Sequence, residues 1–129
     1  MNKLVLSIMA LFAGCSCSCG QQKFKTVDAD EFEKVISSDT VQLVDVRTKD
    51  EFDAGHITSA GIKNIDVKQA DFTEKADKVL DNGKTVAVYC RSGKRSAYAA
   101  RQLTDKGFKV IDLKGGILEW QKRGKPTSR

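Results

Sequence analysis

The segment from residue 84 to residue 106 joins a short apolar run to a helix, and it constrains the fold more than any other part of the chain. Lys84–Tyr89 carries consecutive apolar residues without polar alternation, which is typical of a strand covered on both faces. Ala97, Ala100 and Leu103 then recur at the spacing of one helix face. A strand that leads directly into a helix predicts one unit of a parallel sheet.

The rest of the chain repeats this alternation of strands and helices. Further strands are predicted at Phe24–Val27, Val41–Val46, Ile62–Ile65 and Phe108–Leu113. Helices are predicted from Asp28 with Glu31, from Thr48 with Glu51 to an end at Gly55, along the stripe of Phe72, Ala76, Val79 and Leu80, and after Gly115–Gly116. The pattern predicts an α/β domain with a parallel sheet flanked by helices, in which ligands bind at the carboxyl ends of the strands.

Cys90 stands between the strand and the helix of the first segment, inside a short basic loop. The backbone from Cys90 to Arg95 can curl so that several N–H groups and the positive end of the helix converge on one point, which favours an anion there. Arg91, Lys94 and Arg95 add positive charge, and such surroundings convert a thiol into a thiolate. The alternative is a buried structural cysteine, which the polar residues after Cys90 disfavour. The sequence therefore predicts a nucleophilic cysteine.

Four motifs follow one another along the chain: LVDVR at Leu43–Arg47, EFDAGHI at Glu51–Ile57, CRSGKRS at residues 90–96, and LKGGILEW at Leu113–Trp120. Together they resemble the single-domain rhodanese-like sulfurtransferases. The resemblance implies one rhodanese-like domain over residues 23–129, with five parallel strands in a three-layer arrangement and the cysteine loop at the edge of a shallow pocket. After Ile57 the sequence TSAGIKNI departs from the family pattern, so the resemblance does not fix the path of residues 58–63.

The resemblance also implies a reaction without a cofactor. Cys90 attacks the outer sulfur of an anionic donor such as thiosulfate, expels sulfite and holds the sulfur as a persulfide until a thiol or cyanide accepts it. Basic side chains, loop amides and hydroxyls are expected to neutralise the negative charges that meet there. The expected substrate-binding residues are Arg91, Ser92, Gly93, Lys94, Arg95 and Ser96.

Two other functions stay open. A phosphatase or arsenate reductase of related fold has one residue more between cysteine and arginine than the four that separate Cys90 from Arg95, and Ser96 occupies the position of that arginine. The shorter loop favours sulfur over a tetrahedral oxyanion. A catalytically inactive rhodanese-type module that only binds a partner usually lacks the cysteine, whereas this chain keeps it.

The first 22 residues predict export. Met1–Lys3 is positive, and Leu4–Ala13 is an apolar run too short to span a bilayer. The sequence LFAGC, which ends at Cys15, resembles a bacterial lipoprotein signal. We therefore expect a signal peptide over residues 1–14, lipidation of Cys15 with a flexible tether over residues 15–22, and a protein that is anchored by lipid in the periplasm or cell envelope.

Charge and cysteine content disfavour other kinds of site. The net charge is +5, but the basic residues are scattered among acidic ones, and aromatic residues do not interleave with the basic tail at Lys122–Arg129. We therefore expect no nucleic-acid binding and interpret the tail as a solvated end. Cys15, Cys17 and Cys19 fall within five residues, so they give no disulfide framework for the folded body. A metal site at Cys17 and Cys19 would need further ligands, and the only histidine is His56, so none is expected. A redox role for Cys17 and Cys19 stays open.

Four other conspicuous residues are interpreted as scaffold. His56 lies in a turn, and no base is needed where backbone amides favour the thiolate. Asp45 and Arg47 are expected to tie loops together by charged hydrogen bonds at the end of the second strand. Trp120 is expected to fill the core.

Overall fold

A five-stranded parallel sheet with helices on both faces forms the framework of the domain, as predicted. The computed structural model describes residues 23–129, so the predicted signal peptide, lipidation site and tether lie outside the described residues. The strands are β1 (Lys25–Val27), β2 (Val41–Asp45), β3 (His56–Ile57), β4 (Lys63–Asn64), β5 (Thr85–Tyr89), β6 (Val110–Leu113) and β7 (Thr127–Ser128). The helices are α1 (Ala29–Ile36), α2 (Lys49–Ala54), α3 (Phe72–Val79), α4 (Lys94–Asp105) and α5 (Gly116–Lys122).

The strand order places β5 in the middle of the sheet. The order is β1-β6-β5-β2-β4, and all of these strands are parallel. Val88 of β5 is level with Val44 on one side and with Asp112 on the other. Because parallel strands end at the same edge, the residues that follow β2, β5 and β6 meet there. Cys90 directly follows β5 and so lies at the centre of that edge.

Two apolar layers cover the two faces of the sheet. Val88 and Cys90 belong to the layer under α3 and α4. Ala87 and Tyr89 belong to the layer under α1 and α5, where Trp120 is buried as predicted. Alternate residues of a strand point to opposite faces, so the adjacent Tyr89 and Cys90 serve different layers.

Side chains that the sequence marked as helix starts do cap their helices. The Glu31 N–H donates to Oδ1 of Asp28 at 2.9 Å. Thr48 and Glu51 form a complete capping box, and Gly55 ends the helix that they start. Each cap satisfies amides that the first helical turn leaves free.

None of the helices within residues 23–129 is long and apolar enough to cross a bilayer.

The predicted apolar stripe of α3 is wrong at one position. Phe72 and Ala76 are buried, whereas 48% of Val79 is exposed. The helix ends at Val79, and Leu80 continues with extended backbone angles and is buried instead. The change from helical to extended geometry rotates the following side chain, so the stripe does not continue past the helix end.

Residues 58–63 turn sharply and lead into β4. The Thr58 N–H donates to the carbonyl oxygen of Pro126 at 3.2 Å. Gly61 has a φ of +78°, which favours glycine. Lys63 then pairs with Val44 of β2. The segment therefore supplies the edge strand of the sheet.

The basic tail is docked on the domain, and the interpretation of it as a solvated end is wrong. Thr127 and Ser128 pair with β3 as the antiparallel strand β7. Nε1 of Trp120 donates to the carbonyl oxygen of Pro126 at 2.9 Å. Lys125 contacts carboxylates of α1 at 2.7 and 2.9 Å. Backbone pairing and these ion pairs hold a segment whose composition alone resembles a free end.

Candidate active site

Cys90 lies where β5 ends, and its sulfur is enclosed by the loop that follows. The Gly93 N–H donates to Sγ of Cys90 at 3.0 Å. Within residues 23–129 one backbone N–H donates to the sulfur, whereas the sequence predicted that several would converge on it. Only 1% of the Cys90 surface is exposed. The expectation that the polar residues after Cys90 disfavour a buried cysteine is therefore wrong with respect to burial. One backbone donor therefore contacts a sulfur that is otherwise closed off from solvent.

The loop is short because α4 begins at Lys94. Gly93 is the N-cap residue, with a φ of +112° and no side-chain cap. A residue with a Cβ rarely adopts such a φ, so glycine is required here by the backbone conformation. The first turn of α4 leaves backbone N–H groups free and places the positive end of the helix beside Cys90.

The segment before α5 closes the other side of the loop. The Ile117 N–H donates to the carbonyl oxygen of Cys90 at 2.9 Å, and the Leu118 N–H donates to that of Arg91 at 3.2 Å. A Cβ on Gly116 would overlap the carbonyl group of Arg91. Gly116 therefore lets α5 bind the loop backbone directly. Sequence reasoning treated the two glycines only as a helix start, although the motif that contains them supported the family resemblance.

The basic residues of the loop have different environments. Arg91 and Lys94 are exposed. Arg95 is held by Glu51 through two bonds, Nη1 to Oε1 at 2.8 Å and Nη2 to Oε2 at 2.9 Å. These bonds lower the pKa of Glu51 to about 2 and raise the pKa of Arg95, although burial opposes both shifts. Arg95 therefore provides positive charge near Cys90 while its guanidinium is bound to Glu51.

The two serines also differ. Ser92 is exposed on the loop, whereas Ser96 is buried. The Ser96 hydroxyl donates to Oδ1 of Asp112 at 2.6 Å and lies 3.3 Å from the carbonyl oxygen of Gly93. The structure therefore brings the hydroxyl hydrogen of Ser96 to Asp112 instead of turning it toward the sulfur.

Asp112 is a buried carboxylate that sequence reasoning missed. Thr26 Oγ1 donates to its Oδ2 at 3.3 Å. Burial raises the pKa of Asp112 to about 6, although the hydrogen bonds from Ser96 and Thr26 oppose this shift. A signal was present in the sequence, because Asp112 interrupts the otherwise apolar strand β6 next to β5. An acidic residue in a strand covered on both faces is rare unless it has specific partners.

A cavity of about 250 Å³ opens beside the loop. Its lining residues are Arg47, Glu51, Ala54, Gly55, Arg91, Ile117, Leu118 and Gln121. Arg47 is paired with Asp45, and Glu51 is paired with Arg95. Among the ion pairs of residues 23–129 none includes Arg91. The cavity therefore has a net positive wall suited to a small anion.

Asp45 and Arg47 form the predicted tie below this cavity. Arg47 donates to the Asp45 carboxylate at 2.7 to 3.1 Å and to the carbonyl oxygen of Gly55 at 2.7 Å. Burial opposes the charge of Arg47, but its bonds to Asp45 outweigh burial and raise the pKa of the guanidinium.

The Tyr89 hydroxyl accepts the Ile57 N–H at 3.0 Å, and burial raises the pKa of Tyr89.

His56 packs within the scaffold as predicted, but it lies in strand β3 and not in a turn. Its ring stacks on Phe52 with centroids 4.1 Å apart and an angle of 8° between the ring planes. Its backbone pairs with Ser128 of β7. These contacts fix both the ring and the backbone of His56 in the packing of the domain.

Known proteins resemble this chain across the site. The rhodanese-like domain family matches residues 28–123. The putative sulfurtransferase YtwF of Bacillus subtilis is 33% identical over 96 residues, which cover 74% of this chain and 88% of that protein. Thiosulfate sulfurtransferase 18 of Arabidopsis thaliana is 33% identical over 115 residues, which cover 81% of this chain and 84% of that protein. The crystal structure of a rhodanese-related protein from Thermoplasma volcanium superposes with a TM-score of 0.70 at 30% identity, covering 81% of this chain and 98% of that one.

Proposed function

We propose that this chain, which belongs to the rhodanese-like domain family, is a sulfurtransferase in which Cys90 carries the transferred sulfur. The observation that supports this most directly is the Gly93 N–H bound to Sγ of Cys90 at 3.0 Å, at the start of α4. A thiolate is the form of cysteine that attacks sulfur donors, and a backbone N–H at the start of a helix is a donor that can bind it. The names of the Bacillus and Arabidopsis relatives agree with this class of reaction.

The reaction we propose has two steps. The Cys90 thiolate attacks the outer sulfur of thiosulfate, an S–S bond to Cys90 forms, and the bond between the two sulfur atoms of the donor breaks with release of sulfite. Cyanide or a thiolate then attacks the outer persulfide sulfur, takes it, and returns Cys90 as a thiolate. Charge is conserved in both steps, and no oxidant or cofactor is consumed.

Positive charge beside the loop serves the first step. Both reactants are anions, so their approach costs free energy unless cations stand nearby. Arg91 lines the cavity and is exposed, and Lys94 is exposed on the first turn of α4. Because only 1% of Cys90 is exposed, we expect the exposed Arg91 and Ser92 to move aside when the donor enters, while Gly93 stays against the sulfur.

The test is direct detection of the persulfide. Reduced full-length protein in a mild detergent is treated with thiosulfate and digested with trypsin, which releases Cys90 in a peptide with no other cysteine, Thr85–Arg91. We expect this peptide to gain the mass of one sulfur atom, and cyanide to remove that sulfur as thiocyanate. Cys90→Ser is the control and should yield no thiocyanate above background. Folded, reduced wild-type protein that gains no sulfur at Cys90 would contradict the proposal.

We also propose that Cys15 is lipidated after removal of residues 1–14 and that the enzyme therefore acts at a membrane surface in the periplasm or cell envelope. The positive start, the apolar run and the LFAGC sequence support this proposal. Metabolic labelling with a fatty acid analogue tests it in bacterial cells. Label and membrane association should be lost in Cys15→Ala and kept in Cys17→Ala, and equal labelling of the two variants would refute it.

A further inference from the structure

A buried carboxylate on the neighbouring strand is bound to the first turn of α4, directly after the reactive loop. The Gly93 N–H donates to Sγ of Cys90 at 3.0 Å. The Gly93 carbonyl oxygen lies 3.3 Å from the Ser96 hydroxyl, which donates to Oδ1 of Asp112 at 2.6 Å. Ser96 and Asp112 are both buried. The amide that contacts the sulfur and the carbonyl that faces Ser96 thus belong to one residue, Gly93.

The position of Asp112 in the sheet explains how it reaches the loop. Asp112 of β6 is level with Val88 of β5. Val88 and Cys90 are two residues apart, so their side chains lie on the same face of the sheet, under α4. Ser96 lies in the first turn of α4. Its bond to Asp112 therefore fastens the start of α4 to the sheet beside the cysteine.

Asp112 is an unusual anchor because its side-chain partners are hydroxyl groups, beside the backbone of Leu113. Ser96 donates from α4 and Thr26 from β1. None of the ion pairs found in residues 23–129 includes Asp112. A hydrogen bond to an ionised carboxylate is shorter and stronger than one between neutral groups, and the 2.6 Å bond to Ser96 has such a length. The Ser96 hydroxyl is thereby fixed in one orientation.

We propose that Asp112 is a positioning residue for the reaction at Cys90. It holds the Ser96 hydroxyl, Ser96 fixes the first turn of α4, and this turn keeps the Gly93 N–H directed at the sulfur. Without the Asp112 acceptor, Ser96 has no partner on β6, and the Gly93 amide is less firmly placed against the thiolate. The inference rests on the proposed function for the reaction that is served, but the geometry it describes affects any reaction of the Cys90 thiolate.

The chain offers matched variants for a test. Asp112→Ala and Asp112→Asn both remove the negative charge, but only Asp112→Asn keeps an oxygen that accepts the Ser96 hydrogen. Ser96→Ala breaks the connection from the helix side. Thr26→Val removes the other hydroxyl donor of Asp112, which comes from β1 and takes no part in the connection to the loop. Thr26→Val is therefore the control for general disturbance of the carboxylate.

The experiment measures the rate at which iodoacetamide alkylates Cys90 in the reduced full-length protein, followed on the peptide Thr85–Arg91. Urea unfolding of each variant shows whether it is folded at the start. The rate of persulfide formation from thiosulfate is measured in parallel. Alkylation needs no sulfur donor, so it decides the positioning role even if thiosulfate proves not to be a substrate.

We expect Asp112→Ala and Ser96→Ala to slow alkylation about tenfold, the effect of losing one hydrogen bond to a charged group. Asp112→Asn should restore a rate within about threefold of the wild type, and Thr26→Val should stay within the same range. Wild-type rates in folded Asp112→Ala and Ser96→Ala would overturn the inference, as would equal loss in Asp112→Asn and Asp112→Ala. If Asp112→Ala does not fold, the comparison of Ser96→Ala with Thr26→Val decides. If the wild type is alkylated but takes up no sulfur from thiosulfate, the proposed function is refuted. The positioning role of Asp112 is then decided by the alkylation rates of the variants alone.

Discussion

Two buried aspartates lie near the carboxyl ends of β2 and β6, the two strands that flank β5, and their negative charges are stabilised differently. Asp45 ends β2 and receives three hydrogen bonds from the Arg47 side chain at 2.7 to 3.1 Å. Asp112 on β6 receives hydroxyl groups from Ser96 and Thr26. The first charge is neutralised by a cation, whereas the second is only solvated by dipoles. This difference predicts that the contribution of Asp112 to stability depends on pH.

The two aspartates also serve different faces of the sheet. Asp45 lies with the Tyr89 face, where Arg47 ties it to the carbonyl oxygen of Gly55. Asp112 lies with the Cys90 face and contacts the first turn of α4. The ion pair therefore holds loops of the scaffold in place, and the uncompensated carboxylate contacts the part of the molecule that holds the reactive sulfur.

Removal of the cation from the first site should give the largest loss of stability. Arg47→Met leaves the Asp45 charge buried without a partner, and breaking a buried pair on one side costs about 3–5 kcal/mol of unfolding free energy. Urea unfolding at neutral pH measures this loss. The double variant Asp45→Leu with Arg47→Met should recover part of it, because an apolar pair leaves no buried charge. A loss below about 1 kcal/mol in Arg47→Met would place this pair with exposed ones and remove the contrast with Asp112.

Removal of the charge from the second site should act in the opposite direction. The pKa of Asp112 is raised from 3.8 to about 6 in the folded protein. The folded state therefore binds the proton more tightly than the unfolded state, and stability falls as the pH rises from about 4 to above 6. A rise of the pKa from 3.8 to about 6 corresponds to about 3 kcal/mol of unfolding free energy. This is an upper value for how much more Asp112→Asn stabilises the protein at pH 7 than at pH 4.

The measurement that checks this is the difference in unfolding free energy between wild type and Asp112→Asn, taken across the same pH range. All other titrating groups cancel in this difference to first order. We expect the difference to grow in favour of Asp112→Asn as the pH rises. Parallel curves for the two proteins would contradict the assignment of an uncompensated carboxylate.

The sequence predicted the fold well because strands and helices alternate, and capping and turn residues mark where they begin and end. The capping box of Thr48 with Glu51 and the helix end at Gly55 are local interactions, and their residues alone identify them. The apolar run before Cys90 likewise predicted β5 to within one residue. Such signals depend on neighbours in the chain, so they are visible without tertiary structure.

What the sequence did not predict depends on contacts between distant segments. Ser96 and Asp112 are 16 residues apart, and Arg95 and Glu51 are 44 residues apart. The docked tail depends on Lys125, which reaches α1 across 92 residues of chain. Each of these pairs joins elements whose relative placement the strand order decides. A list of candidate side chains could therefore include Arg95 and Ser96 without revealing which partner each one contacts.

A third carboxylate completes the comparison, because Glu51 has a cation but is more exposed than either aspartate. Its side chain is 30% exposed and that of Arg95 is 24% exposed. Glu51→Gln removes the charge and keeps an oxygen that can accept the Thr48 N–H of the capping box. Because solvent screens such a pair, we expect a loss below about 1 kcal/mol at neutral pH, which shrinks further in 1 M salt, where the Debye length is about 3 Å.

The pH dependence of this third variant has the opposite sign to that of Asp112→Asn. The pKa of Glu51 is lowered from 4.5 to about 2, so its contribution to stability is complete above about pH 4.5 and is lost as the pH falls toward 2. The difference between wild type and Glu51→Gln should therefore narrow on acidification, as urea unfolding at pH 3 and pH 6 can show. A loss as large as that of Arg47→Met, or one that salt leaves unchanged, would mean that exposure does not separate this pair from the buried one. Burial would then not explain the contrast among the three carboxylates.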